Sequence, residues 1–338
     1  MHVMPPWARD AVLLGSDSPL PLDRPFTARE ADAMGVRASL RARLVERGLI
    51  WPLLRGVFVA SQVQDSLGLR VGALQLVVPD HAVVVDRTAA WVHGVDALPR
   101  SAIHLMPRLD VVSSAGSRMR RPGIESGIRD FVPSDITVVG GLRLTTKLRT
   151  ACDLGRRLWR YDALAAVDGF LRAGLDHSEL LAEVDRFKGH RGVVQLRALA
   201  PLGDLGAESP PESALRLHWH DADIGEPKTQ IWEYDDDGRP TYRIDVGDPE
   251  ARYGAEYFGE QFHGTDDEEH DEDRIAWLEE HRDWSIEVFT KVDVYVPSSL
   301  PLTSCGEATP SPRRPTTCAT RRTSTSLDDG EEPPGGWS

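Results

Sequence analysis

Three acidic residues in the C-terminal third of the chain have the types and spacing of a divalent-cation site. Glu212 lies in a segment with a helical pattern, whereas Asp245 and Glu256 lie inside the apolar strand patterns RIDVG and GAEYFG. Two adjacent strands of a meander can point their acids to the same side, and Mg²⁺ prefers oxygen ligands, often one or two carboxylates with water and substrate phosphate. The trio therefore predicts a Mg²⁺ site. The alternative for each acid taken singly is an outward, solvated position.

A cation at this place would serve phosphodiester chemistry, because Mg²⁺ polarises a phosphodiester and ionises a bound water. Two residues that follow in GEQFHG are candidates to assist. His263 is a candidate general base or neighbour of the metal. Gln261 is a candidate to orient water or contact phosphate. The acidic run Asp266–Asp273 is interpreted as a solvated loop instead.

The elements that must position these acids form a small α/β pattern over 205–296. A helix, PPESALRLHWHDA, precedes the strands KTQIWEY and PTYRIDVGD, which the turn DDDG joins into a hairpin. A third strand, RYGAEYFG, is followed by the helix DEDRIAWLEEHRD and a closing strand, WSIEVFTKVDVYV. Such a meander between two helices would place the helix acid near the acids of the strands.

A basic stretch near the start of the chain predicts a DNA-binding module over 25–66. Thr27 and Glu30 have capping-box spacing before a short helix, a second helix follows over about 37–47, and LIWPLLRGVFVAS predicts a hairpin. This is the order of a winged helix-turn-helix, whose second helix enters the major groove. We expect five arginines to face outward and bind DNA: Arg37, Arg41, Arg43, Arg47 and Arg55. The alternative is a solvated face of a small helical domain or a protein-interaction module.

The remaining segments complete an α+β / α/β multidomain fold. Residues 1–24 have several prolines and little periodicity, which predicts an irregular leader. Residues 67–204 mix strand-like segments with amphipathic helices such as KLRTACDLGRRL, so we expect a mixed α/β and helical middle region. Residues 297–338 are rich in Pro, Ser, Thr and Gly without periodic apolar positions, which predicts a disordered tail.

Charge is distributed unevenly along the chain, whose net charge is −14. Residues 1–200 hold 27 Lys and Arg against 21 Asp and Glu, whereas 201–296 hold 8 against 27, a net charge of −19. The first part suits a phosphate partner, and the second needs cations to approach one. There is no stretch of ~18 apolar residues. With no signal-peptide pattern and only 3 cysteines, we expect a cytoplasmic protein without a membrane partner.

The C-terminal motifs resemble a nuclease superfamily. Residues 206–295, with the spaced elements SPPES, RIDV, EYFGEQFH, an Asp-x-x-Arg pair and HRDW, resemble the small domain related to very-short-patch-repair endonucleases, in the PD-(D/E)XK superfamily. The resemblance implies a restriction-endonuclease-like α/β domain in which Glu212, Asp245 and Glu256 hold Mg²⁺. The superfamily's lysine, two residues beyond the last acid, is Phe258 here, and His263 or Gln261 is the candidate replacement.

The upstream motifs resemble an antitoxin family. FTAREADAMG, LIWPLLRGVFV, RTAAWVHGV and LRLTTKLRTACDLGRR are similar to the antitoxin of abortive-infection type IV toxin–antitoxin systems, the AbiEi family. This resemblance implies an N-terminal winged helix-turn-helix that represses its own promoter, with double-stranded DNA as ligand and a toxin as partner protein. Together the two resemblances cover about 25–295.

Two functions are open from the sequence. One is a DNA-binding protein whose C-terminal domain is a Mg²⁺-dependent DNA endonuclease. The other is a non-catalytic antitoxin and transcriptional repressor whose nuclease-like domain is structural. Retention of the three acids and His263 favours the enzyme. Phe258 and the acidic back half favour the binding protein, because an acidic site without metal repels DNA.

Overall fold

The computed structural model describes residues 4–98, 108–113, 124–127, 129–259 and 265–295, without the side chains of Ser126 and of 265–272. All of these residues belong to one unit, Met1–Thr303. The tail over 297–338, predicted as disordered, lies outside the described residues, and so do Gln261 and His263.

The N-terminal helices and hairpin lie where local signals predict them. The Glu30 N–H donates to the Thr27 hydroxyl at 3.1 Å and the Thr27 N–H donates to the Glu30 carboxylate at 2.7 Å, which completes the capping box. The elements are α1 (Pro6–Arg9), β1 (Phe26–Thr27), α2 (Ala28–Ala33), α3 (Ala38–Glu46), β2 (Ile50–Leu54) and β3 (Val57–Ala60). The strands pair antiparallel in the order β1-β3-β2.

The leader over 1–24 contributes to the core of these N-terminal elements. Four of its apolar residues are buried in the same cluster as Phe26, Leu44 and Ile50, and they are Met4, Ala8, Leu14 and Leu20. Outside α1 its described backbone is irregular. The segment is nevertheless packed, because apolar burial does not require a periodic element.

The middle region begins with a five-stranded mixed sheet. Its elements are α4 (Leu67–Gln75), β4 (Ala82–Val84), α5 (Asp86–Val92), β5 (Leu109–Ser113), β6 (Ile124–Gly127), β7 (Ile136–Val139) and β8 (Leu142–Thr145). The strand order is β6-β5-β4-β8-β7, with parallel pairing of β5 with β6 and of β4 with β8. Val84, Val111 and Leu144 are fully buried against Leu74 of α4.

Four helices follow the sheet: α6 (Lys147–Arg157), α7 (Arg160–Arg172), α8 (His177–Glu183) and α9 (Val193–Leu199). A buried carboxylate ties this part together. Asp153 is fully buried and accepts from Arg129 Nη1 at 2.9 Å, from Arg149 Nε at 2.8 Å and from Arg156. Arg149 also donates to the buried Asp135 at 2.6 Å. Buried charges of this kind persist only when they are paired and hydrogen-bonded.

The C-terminal elements form a four-stranded sheet between two helices. They are α10 (Pro210–Ala222), β9 (Lys228–Tyr234), β10 (Pro240–Asp248), β11 (Tyr253–Tyr257), α11 (Thr265–Arg282), β12 (Ser285–Phe289) and α12 (Lys291–Tyr295), and the strand order is β12-β11-β10-β9. On one face Trp219 of α10 packs with Val246 and Ala255. On the other face Leu278 of α11 packs with Ile244.

The end of this region differs from the sequence prediction. The closing strand stops at Phe289, and a helix, α12, replaces its second half. Both the backbone N–H and the hydroxyl of Thr290 donate to the Asp293 carboxylate, at 2.8 and 2.7 Å. These local bonds favour a helix start over a continued strand. The prediction of a loop for the acidic run Asp266–Asp273 is also wrong, because these residues belong to α11, which begins at Thr265.

The middle and C-terminal regions share a core across the predicted boundary at 204. Leu164, Leu199 and Leu217 form one cluster between α7, α9 and α10. Arg216 of α10 donates through Nη2 to both carboxylate oxygens of Asp168 on α7, at 2.9 and 2.7 Å, and both side chains are buried. α10 therefore packs against the helices of the middle region and against the sheet of the C-terminal region.

None of the helices in the described part of the chain is long and apolar enough to cross a membrane.

Candidate functional site

Four of the five predicted DNA-binding arginines lie at least partly at the surface of the N-terminal elements. Arg37 is exposed at the cap position before α3, and Arg55 is exposed at the turn between β2 and β3. Arg43 is half-buried on α3. Arg47 is exposed, but its guanidinium donates to the carbonyls of Ala8 and Arg9 at 2.7 Å. Arg37 and Arg55 are thus the arginines best placed to reach a phosphate.

Arg41 does not face outward, and that part of the prediction is wrong. Its exposure is 8%, and its Nη1 donates to the Asp32 carboxylate and, at 2.7 Å, to the Val36 carbonyl. Its guanidinium also lies 5.8 Å from the ring centroid of Phe58. Three residues along a helix return to the same face, so Arg41 lies beside Leu44 on the core side. Its charge ties α3 to α2.

The three predicted metal-ligating acids lie on the expected elements. Glu212 is in the first turn of α10, where the Ser209 hydroxyl accepts from the Glu212 N–H at 3.4 Å. Asp245 is central in β10, and Glu256 is near the end of β11. The Tyr257 N–H donates to Oδ2 of Asp245 at 3.4 Å, which brings the two strand acids side by side. We call Glu212, Asp245 and Glu256 the acidic row.

Burial and the charge of Asp245 raise pKa values within the acidic row. Loss of hydration raises the pKa of all three carboxyls. The charge of Asp245 raises the pKa of Glu212 and of Glu256 further. Arg274 of α11 opposes this at one end, because its Nη2 donates to Glu256 at 3.1 Å. A divalent cation would lower all three pKa values, since it favours the ionised carboxylates.

Gln230 of β9 joins the acidic row and was missed by sequence reasoning. Its Nε2 donates to Oε2 of Glu212 at 3.0 Å, and its backbone has a φ of +54°. A left-handed conformation at a residue other than glycine costs about 1–2 kcal/mol. The DDDG turn did not supply this signal, because a bulge between Pro240 and Tyr242 shifts the register by one residue before Gln230 comes opposite Asp245.

The acidic row and Gln230 can be compared with the ligands that Mg²⁺ takes, in geometry and in donor type. No three His, Cys, Asp or Glu side chains within the described residues stand ready in a geometry that could hold a metal ion. The donor types, carboxylate oxygens together with Oε1 of Gln230, are those that a hard cation takes, but their placement among the described residues does not make such a site. That amide oxygen is buried and lacks a hydrogen-bond partner among the described residues.

Phe258 lies just past the end of β11, two residues beyond Glu256. It brings no charge to the place where the resembled superfamily has a lysine. The guanidinium of Arg274 is the cation that lies at Glu256 instead, and it comes from α11. The Asp-x-x-Arg spacing in the sequence was its signal. Gln261 and His263, the predicted assistants, fall outside the described residues.

Comparison with known proteins places the middle of the chain in an antitoxin family model. Residues 81–202 match the model described as the AbiEi antitoxin C-terminal domain. Two curated proteins of Mycobacterium tuberculosis, "Uncharacterized protein Rv2248" of strain H37Rv and "Uncharacterized protein MT2308" of strain CDC 1551, are each 33% identical to the chain over 238 residues. The match covers 70% of this chain and 84% of each relative.

The chain belongs to the family of these two mycobacterial proteins. Its AbiEi-matching segment, 81–202, begins one residue before β4 and ends after α9. It contains the sheet of the middle region and the Asp153 ion-pair network. The N-terminal arginines precede this segment, and the acidic row follows it. The antitoxin resemblance of the middle region is thus confirmed by the family model, which does not extend to either flank.

Proposed function

We propose that the protein is a DNA-binding component of a toxin–antitoxin system. The observation that carries this proposal is the match of 81–202 to the AbiEi antitoxin C-terminal domain, directly after a small module with exposed arginines. The antitoxin description implies a toxin as partner and action in the cytoplasm. The finer form of the proposal is that the N-terminal module represses the protein's own promoter.

The N-terminal module supports double-stranded DNA as its ligand. The element order α1, β1, α2, α3, β2, β3 and the sheet order β1-β3-β2 suit a winged helix-turn-helix, with α3 as recognition helix and the β2–β3 turn as wing. Arg37 lies at the start of α3 and Arg55 at the wing turn. Guanidinium groups at these two ends would contact phosphates on either side of a groove.

Changing Arg37 and Arg55 together to Ala is expected to weaken duplex binding without loss of stability. Two lost phosphate contacts would reduce the slope of log K against log salt by about 1.8, and the affinity at 0.1 M salt by roughly 60-fold. Fluorescence anisotropy of a labelled promoter duplex over a salt series measures both quantities.

The matched control changes two exposed arginines outside the module, Arg197 and Arg239, to Ala. It removes the same charge and should leave affinity and salt slope close to the wild type. Equal losses in both double variants would mean that net charge, and not the N-terminal module, governs binding. Arg41→Ala, by contrast, changes a buried arginine and should lower the thermal stability of the protein.

A second candidate function is Mg²⁺-dependent hydrolysis of a DNA phosphodiester in the C-terminal region. The observation that favours it is the acidic row, in which Asp245 and Glu256 lie on adjacent strands, Glu212 lies on α10, and burial raises the pKa of all three carboxyls. Glu212, Asp245 and Glu256 would hold the cation. When bound, Mg²⁺ supplies polarisation of the phosphodiester and a water of lowered pKa. Within that proposal His263 is the candidate base that accepts a proton from the water.

Changing Asp245 to Asn is expected to separate this function from DNA binding. It relieves repulsion within the acidic row, so the metal-free variant should melt at a higher temperature than the wild type. Mn²⁺ or Mg²⁺ should stabilise the wild type by about 2.7 kcal/mol at 100 times the Kd, and the variant hardly at all. Calorimetry with and without metal, and nicking of supercoiled plasmid, are the measurements.

Asp237→Asn is the control, because it removes an exposed carboxylate from the β9–β10 turn. Its response to metal should match that of the wild type. A metal response without nicking in the wild type would support a binding site that has no hydrolytic activity. If the wild type does not respond to either metal, the acidic row is not a cation site.

A further inference from the structure

The side chain of Arg41 lies where several elements of the N-terminal module meet. From α3, its Nη1 donates to the Asp32 carboxylate on α2 and, at 2.7 Å, to the Val36 carbonyl in the turn between the two helices. Its guanidinium also lies 5.8 Å from the centroid of the Phe58 ring on β3. One side chain thus joins the proposed recognition helix to α2, to the connecting turn and to a strand of the wing.

This placement keeps Arg41 away from DNA but gives it control over the residues that face DNA. Its side chain is only 10% exposed, so it does not present its donors to a phosphate. A helix-turn-helix contacts bases through the N-terminal residues of its recognition helix. The exposed residues there are Ala38, Ser39 and Ala42. Such short side chains cannot reach further when the helix shifts, so their base contacts depend on the angle at which α3 is held.

We propose that Arg41 is a positioning residue for sequence recognition, which holds α3 at the angle to α2 and the wing at which its short exposed side chains reach base edges. The inference rests on the proposed function, DNA binding by the N-terminal module. It divides two tasks between two sets of residues. The exposed Arg37 and Arg55 contribute affinity for any duplex through phosphates, whereas the pair of Arg41 and Asp32 contributes the preference for one sequence.

Asp32 offers a substitution for which positioning and simple electrostatics predict opposite results. Its side chain is 52% exposed, so Asp32→Asn leaves the core of the module intact. The change removes a negative charge from a DNA-binding module, and charge alone would strengthen binding to every duplex. If the ion pair positions α3, the same change weakens binding to the recognised sequence.

The experiment is fluorescence anisotropy of the full chain with two labelled duplexes over a salt series. One duplex carries the protein's own promoter region, and the other is a scrambled sequence of the same length and composition. We expect the promoter affinity to fall about tenfold in Arg41→Gln and about fivefold in Asp32→Asn, comparable with the cost of one mismatched base pair. The slope of log K against log salt should stay that of the wild type, because no phosphate contact is lost.

The scrambled duplex separates positioning from a purely structural role. Its affinity should change little in Arg41→Gln and should not fall in Asp32→Asn. A purely structural role would lower the fraction of folded protein, and both duplexes would then lose affinity by the same factor. The double variant should lose no more than Arg41→Gln alone, since both changes remove one interaction.

Glu46→Gln is the matched control for the loss of a negative charge, because this carboxylate is exposed at the end of α3. It should not weaken binding to either duplex. Thermal unfolding followed by circular dichroism shows that each variant is folded under the assay conditions. If Arg41→Gln does not fold, Asp32→Asn decides the question alone.

Each outcome bears on the inference in a distinct way. Equal losses for both duplexes, or promoter binding by Asp32→Asn that is as tight as in the wild type or tighter, overturn the positioning role and leave DNA binding intact. Equal binding of both duplexes by the wild type also overturns it. If the wild type binds neither duplex, the proposed function fails, and the inference with it. A loss confined to the promoter duplex at an unchanged salt slope supports the proposal.

Discussion

Replacing Asp153 by Ala is expected to lower the free energy of unfolding by about 3–5 kcal/mol. The carboxylate is fully buried, and Arg129, Arg149 and Arg156 all donate to it. Its removal leaves three guanidinium groups with less compensation in a region of low water access. Denaturant unfolding followed by circular dichroism measures the loss, and the slope of the transition shows whether the native state remains cooperative.

The control for Asp153 is Asp185→Ala in the same AbiEi-matching segment. Asp185 pairs with Arg197 at 3.7 Å, but its side chain is 93% exposed. Exposed pairs contribute about 0–1 kcal/mol, so little change is expected. A small effect at both positions would mean that water reaches the Asp153 network, and that burial does not govern its strength.

Replacing Arg216 by Ala is expected to cost a similar amount, about 3–5 kcal/mol, and to weaken the junction between the middle and C-terminal regions. The change leaves Asp168 buried without its bidentate partner. Burial already raises the pKa of Asp168, and loss of the guanidinium raises it further. Because a raised folded-state pKa favours the native state at low pH, the deficit should shrink as the pH falls. Thermal unfolding of variant and wild type across a pH series measures this.

The chain offers a matched control at the same junction. Arg160 of α7 donates to Asp221 of α10 at 2.7 Å, but both side chains are about 40% exposed. Arg160→Ala should therefore change stability little and show no comparable pH dependence. A second, separate unfolding transition in Arg216→Ala alone would show that this ion pair joins two regions that otherwise unfold independently. A deficit that stays constant with pH would contradict the assigned role of Asp168.

Much of the local structure could be predicted from the sequence because its causes are local. The capping box of Thr27 and Glu30 precedes α2, and Ser209 caps α10 in front of Glu212. The strands that carry Asp245 and Glu256 were visible as apolar patterns around a single acid, and the DDDG turn predicted the hairpin of β9 and β10. Prediction failed beyond Phe289, where the bonds of Thr290 to Asp293 outweighed a strand-like composition.

The candidate sites show where local signals stop. The residue type of an arginine on a basic helix does not show whether its side chain binds phosphate at the surface or pairs with a buried group. The burial of Arg41 depends on Asp32 and Phe58, which lie on other elements. Gln230 carries no signal of its own, because its place beside Glu212 arises only when α10 packs on the sheet.

The sequence by itself determined the helix caps, the strands that hold two acids of the acidic row, the uneven charge and the antitoxin resemblance of the middle region. The caps and strands depend on residue type and on spacing within one element, whereas the charge and the resemblance depend on composition and motifs along the chain. Only the tertiary structure decided which arginines are buried, that Gln230 joins the acidic row, and that Arg216 and Asp168 bind two regions into one. The reason is physical: burial, and the pairing that buried charges then require, depend on elements far apart in the chain.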